Sequence, residues 1–96
     1  NNMTLETLLK KAKGFSSVGS KFPNQAIVYL GNMTILTSYN TVIAIKYFSI
    51  AGVKVYLTKD WDYSSTTSKH RNDFLFEEKK DTQKKLDSGV YIYLKD

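Results

Sequence analysis

The densest run of reactive side-chain types in this sequence is Asp60-Trp61-Asp62-Tyr63-Ser64-Ser65-Thr66-Thr67-Ser68-Lys69-His70-Arg71. It joins two carboxylates, two aromatic rings, five aliphatic hydroxyls and a lysine to the only histidine and the only arginine of the chain. Three kinds of chemistry are open to it. In the first, the run is a helix start: Ser64 or Thr66 accepts a bond from an otherwise unpaired first-turn N–H, worth ~1 kcal/mol. Thr67, His70 and Phe74 then share one helix face, with His70 packed on a sheet and Trp61 and Tyr63 at the core edge. In the second, the helix N-terminus holds an anion with its free N–H groups and partial positive charge. Thr66, Thr67 and Ser68 add donors, Lys69 and Arg71 add charge, and Trp61 and Tyr63 stack on a base. Asp60, Asp62 and Asp73 lie close by and oppose that reading by repulsion. In the third, Ser64 or Thr66 is a nucleophile, His70 its base and Asp62 the orienting carboxylate. No nucleophile elbow accompanies those residues, and a triad is recognised by geometry rather than by proximity in sequence. The candidate binding residues are therefore Trp61, Tyr63, Ser64, Thr66, Thr67, Lys69, His70 and Arg71, with no catalytic assignment.

Other chemistry is largely excluded. The chain has no cysteine, which removes zinc-finger and iron–sulfur sites and favours a reducing, cytoplasmic setting. A lone histidine would need carboxylates to complete a metal site, so no metal and no cofactor are expected. Gly19-Ser20-Lys21 reverses the Lys-Ser/Thr order of a phosphate-binding loop and follows a helix instead of a strand. The net charge of +5 suits nucleic acid or an acidic protein face, and equally serves solubility. Seven tyrosines, five phenylalanines and one tryptophan exceed what a small core can hide. If Tyr56, Tyr91 and Tyr93 share an outer sheet face, they form an interface surface beside lysines.

The elements that must position these residues follow from spacing. With 96 residues the chain fits one domain, 1–96. Leu5, Leu8, Leu9 and Ala12 recur at helical spacing, which predicts a helix over about 4–13, capped by Thr4 and stopped at Gly14. Phe15 to Gln25 reads as a connector. Ala26–Leu30 and Met33–Tyr39 flank Gly31-Asn32, a hairpin signal of the II′ type. Thr41–Tyr47 and Val53–Thr58 continue an antiparallel meander. A helix over about 66–78 and a helical stretch over about 80–86 precede a last alternating strand, Val90–Leu94. No apolar run reaches the length of a membrane span. The first apolar stretch is amphipathic and followed by lysines, unlike a signal peptide.

Ser38-Tyr39-Asn40-Thr41-Val42-Ile43-Ala44 and Tyr63-Ser64-Ser65-Thr66-Thr67-Ser68-Lys69-His70, with Phe74-Leu75 after and Val55-Tyr56-Leu57 between, carry a resemblance. They resemble a family of small uncharacterised proteins of phages, plasmids and conjugative elements of Gram-positive bacteria, over about 29–75. Residues around Phe48 to Gly52 are extra relative to that pattern. The resemblance implies a mobile-element accessory protein and no particular activity.

The sequence thus predicts an α+β domain: an antiparallel meander of about five strands, an N-terminal helix on one face, and one or two helices before the last strand, the 66–78 helix closing one end. Its expected role is a non-enzymatic binding protein acting on a host or defence protein, with self-association as a means of completing the interface. The alternative is a small basic nucleic-acid-binding protein. A membrane partner is not expected.

Overall fold

A computed structural model of the chain describes residues 4–10, 17–20 and 22–94. Short helix α1 (Leu5–Leu9) is capped by Thr4, whose hydroxyl accepts from the Thr7 N–H. Lys11, Lys13 and Gly14, the expected end of this helix, lie outside the described residues, as does Lys21. Strands β1 (Ser17–Gly19), β2 (Gln25–Leu30), β3 (Met33–Ser38), β4 (Thr41–Ser49) and β5 (Gly52–Leu57) follow, then helices α2 (Ser65–Leu75) and α3 (Lys79–Ser88), then strand β6 (Tyr91–Tyr93).

The strands form one sheet in chain order, β1 through β6. The first five pair antiparallel, as expected of a meander. The α+β fold is the expected one, a mostly antiparallel meander with a short N-terminal helix and two helices before the last strand, and it differs from expectation in two details. The expected connector contains a strand, β1, which gives six strands among the described residues. Strand β6 joins β5 in parallel, because two helices intervene and carry the chain back to the starting end of β5, which a hairpin cannot do.

Side chains alternate between the two sheet faces, and each face carries a core cluster. Met33, Ile35, Ile45, Tyr56 and Leu94 pack with Leu8 of α1 on one. Leu36, Ile43, Ala44, Leu57 and Tyr91 pack with Phe74 and Leu75 of α2 on the other. Helix α2 thus lies on a sheet face instead of closing an end, and it stops at Leu75, short of the expected 78. Ile43 and Ala44 are consecutive yet share a face. The register slips between Leu36 and Thr37, with Leu36 opposite Ala44 and Thr37 opposite Val42, so Ile43 is the extra residue of a β-bulge.

The hairpin turns differ from expectation. Leu30 pairs with Met33 across Gly31-Asn32, but only Gly52 and Gly89 have positive φ among the described glycines, so Gly31 does not form a II′ turn. Tyr39 (φ 52°) and Asn40 (φ 64°) both lie in the left-handed region, the signature of a type I′ hairpin between β3 and β4. The supposed tyrosine face is also corrected. Tyr56 and Tyr91 are buried, on opposite sides of the sheet, and of the three only Tyr93 is exposed.

Candidate binding site

Helix α2 begins as the hydroxyl run predicts. Ser64 is its N-cap and accepts from the Thr67 N–H at 3.1 Å. A buried chain of hydroxyls runs from there into the sheet. Ser64 Oγ donates to Thr67 Oγ1 at 3.2 Å, Thr67 Oγ1 lies 3.1 Å from Ser38 Oγ, and Ser38 Oγ lies 2.9 Å from His70 Nδ1. Each hydroxyl has one proton. Each also accepts, so the Thr67–Ser38–His70 links run in one direction or the other according to which His70 ring nitrogen carries the proton. His70 is 1% exposed. Burial lowers its pKa from the ordinary 6.5, nearby Lys69 lowers it further, and Asp73 opposes them. Phe22 stacks on its ring at 5.5 Å, and the Lys69 ammonium sits 4.8 Å above Phe22.

Arg71 is 0% exposed and serves the loop before α2. It donates to the Trp61 carbonyl at 2.8 Å, to Asp62 Oδ1 at 3.3 Å and to Asn72 Oδ1 at 2.9 Å, and it stacks 5.1 Å from the Trp61 ring. Asp62 also receives Lys79 at 2.5 Å and the Ser68 hydroxyl at 3.0 Å. Burial raises the Asp62 pKa, but the hydrogen bonds from Lys79, Ser68 and Arg71 outweigh it and hold the carboxyl below its ordinary range.

The sequence-predicted residues therefore divide. Thr67, His70 and Arg71 are buried, Ser64 is a cap, and Trp61 packs half-buried against the helix-side core. Thr66 is half-buried, while Tyr63 and Lys69 are exposed. The catalytic grouping is not assembled: Asp62 is engaged by Arg71, Lys79 and Ser68, and Nδ1 of His70 faces Ser38. Among the described residues no three His, Asp or Glu side chains converge as a metal site would require. Among the described residues no helix is long and apolar enough to cross a membrane.

Among the described residues, two concavities border α2. The first, about 230 Å³, opens between the β3–β4 hairpin tip and the loop before α2, and is lined by Ser38, Tyr39, Thr41, Ile43, Asp60, Tyr63 and Thr67. The bulge fixes one wall. Thr58 donates its N–H to the Ile43 carbonyl at 3.0 Å and its hydroxyl to the Val42 carbonyl at 2.6 Å. The same hydroxyl accepts from the Asp60 N–H. The hairpin tip is held by a 2.8 Å bond from the Tyr39 N–H to the Asn24 carbonyl.

The second, about 280 Å³, lies at the other end of α2, where the helix leaves the β2–β4 surface uncovered. Tyr29, Phe48 and Phe76 rim it, with Lys46 and Phe74 inside. Lys46 donates to the Phe74 carbonyl at 2.7 Å, satisfying one of the helix's unpaired terminal carbonyls. Its ammonium sits 4.4 Å from the Phe74 ring and 5.6 Å from that of Phe76, and burial lowers its pKa. Phe76 is the C-cap of α2, at φ 56° and ψ 46°. That left-handed position favours glycine, yet it carries a phenylalanine that is 87% exposed. Sequence reasoning missed Phe76, Phe48, Lys46 and Tyr29. The one available signal was the lack of a glycine stop after Leu75.

A family model described as a family of unknown function (DUF8033) matches residues 3–89, so the chain belongs to that family. No curated protein and no solved structure matches it.

Proposed function

We propose that this DUF8033 member is a non-enzymatic binding protein that engages another protein through the aromatic groove at the C-terminal end of α2. The observation that carries the reading is Phe76. A bulky residue in the left-handed region costs on the order of 1 kcal/mol, and a ring 87% exposed regains little of it by burial. A local rule broken with only a 5.6 Å contact to the Lys46 ammonium in return marks a residue kept for another purpose. Tyr29 and Phe48, both exposed, extend the surface, and aromatic clusters are enriched where protein interfaces concentrate their affinity. The net charge of +5 favours a partner with an acidic rim. The resemblance carried by Ser38 to Ala44 and Tyr63 to His70 supports a mobile-element setting in the cytoplasm, where a host or defence protein is the natural partner.

The nucleic-acid alternative draws on the same charge but has less support. Lys79 and Lys85 are tied to Asp62 and Glu77, and Arg71 is buried, so these cations are not free for phosphates.

The test uses wild-type protein and the Phe76→Gly variant as baits against lysate of a Gram-positive host, beside sedimentation of each alone. A protein retained by wild type and lost by the variant, which stays folded, is the expected result. Equal retention by both overturns the assignment of the groove. Concentration-dependent dimerisation abolished by Phe76→Gly would identify a second copy as the occupant. Tight binding to short DNA or RNA that weakens steeply with salt would move the function to nucleic acid.

A further inference from the structure

The loop before α2 reads Asp60-Trp61-Asp62-Tyr63, two carboxylates alternating with two aromatic rings. One pair has its cation. Asp62 and Trp61 hold Arg71, the carboxylate by a 3.3 Å ion pair and the ring by a 5.1 Å stack. The other pair, Asp60 and Tyr63, lines the 230 Å³ cleft at the hairpin tip, and there the Asp60 carboxylate has no hydrogen bond or ion pair within the described residues. Nor does Asp60 cap the helix beside it, because Ser64 does so.

The geometry points to this cleft as a receptor for one cationic group, a guanidinium or an ammonium, seated between the Asp60 carboxylate and the rings of Tyr39 and Tyr63. A cation against a carboxylate forms a charge-assisted hydrogen bond, and one over a tyrosine face is attracted by the ring quadrupole. The chain uses this second contact repeatedly: Lys46 over Phe74, Lys69 over Phe22, Arg71 over Trp61 and Lys85 over Tyr91. Tyr39 and Tyr63 have no such cation among the described residues, and both rings are exposed. Tyr39 also occupies a left-handed position that asparagine or glycine fills more easily. Its ring is thus placed at the cleft mouth at a conformational cost. The volume limits the ligand, since pockets that enclose drug-sized molecules run to about 300–1,000 Å³. A single basic side chain or a small amine matches this space. An anion is disfavoured by Asp60. Thr41 and the Ser38–Thr67 hydroxyl pair add polar atoms around the seat.

This site is separate from the aromatic groove, so either proposal can fail alone. The test is amide chemical-shift titration of the whole protein with butylguanidinium, butylammonium, the tripeptides Gly-Arg-Gly and Gly-Lys-Gly, neutral Gly-Gln-Gly, and acetate. Saturable shifts confined to residues 38–41 and 60–67 with the cationic probes are expected, with no response to Gly-Gln-Gly or acetate. Asp60→Asn, isosteric and on a surface loop, should weaken that binding about tenfold while its spectrum stays dispersed. Tighter binding of the tripeptide assigns the natural ligand to a polypeptide side chain, and tighter binding of the simple cation assigns it to a free amine. Both support the site. Equal response to the neutral probe, response to acetate, absence of saturable shifts with every cation, or full affinity in Asp60→Asn would overturn it.

Discussion

Helices α2 and α3 end in the same backbone region with opposite residues. The C-cap of α3 is Gly89, at φ 86°, and that of α2 is Phe76, at φ 56°. Glycine has no Cβ to clash there and is the residue a helix end selects when stability alone is at stake. Each helix is backed by a hydrogen-bonded network. Under α2 lie the His70 and Arg71 networks. Beside α3, Glu77 accepts Lys85 at 2.6 Å, Tyr91 at 3.0 Å and Thr82 at 2.6 Å. The two ends therefore differ in what they present to solvent, not in how they are supported. One stops cleanly, and the other holds an aromatic ring outward at an energetic cost.

The largest expected effect breaks the network under α2. Arg71→Ala strips the buried guanidinium from the Trp61 carbonyl and Asp62 and leaves a cavity. The cost is about 3 kcal/mol, read as a lower urea midpoint at unchanged slope. A loss below 1 kcal/mol would mean that Lys79 alone secures the loop.

The caps themselves sharpen the contrast with effects of opposite sign. Phe76→Gly should stabilise the fold by about 1 kcal/mol, and Gly89→Ala should destabilise it by about 1 kcal/mol. Thermal melts of the two variants side by side are decisive. If Phe76→Gly destabilises, the ring contributes to packing over Lys46 and is not held for a partner.

Acid provides the smallest effect at its onset, because one group titrates there. The pKa of His70 is lowered in the folded state, so the unfolded chain binds the extra proton first. Stability should be full above pH 6.5, the ordinary histidine value, and decline as the pH falls from there toward the lowered folded value. His70→Gln should flatten this leg in urea titrations. The lowered carboxyls of Asp62 and Glu77 give a second decline, which begins below about 4.5, the ordinary value for Glu77, and which the variant should keep. If the first decline persists in His70→Gln, another group is responsible.

The segment from Asp60 to Arg71 shows how far types and spacing reach. A hydroxyl cap at Ser64 or Thr66 and the shared face of Thr67, His70 and Phe74 were legible, because capping and helical periodicity are local properties; the structure chose Ser64. The fate of Arg71 was not. A lone arginine after a lysine and a histidine looks exposed, and only the fold of residues 60–63 around its guanidinium buries it. The partner of His70, Ser38, lies 32 residues away, and nothing within either segment announces the other.

The sequence by itself determined the α+β class, the meander from β2 to β5, both long helices and a hydroxyl cap for α2, since each rests on neighbours within a turn or a hairpin. Only the tertiary structure decided the rest. The parallel docking of β6, the bulge at Ile43, the cleft between Tyr39 and Asp60, and the groove around Lys46 all depend on which distant backbones meet. Those meetings are set by the joint packing of the two sheet faces, and no single segment encodes that packing.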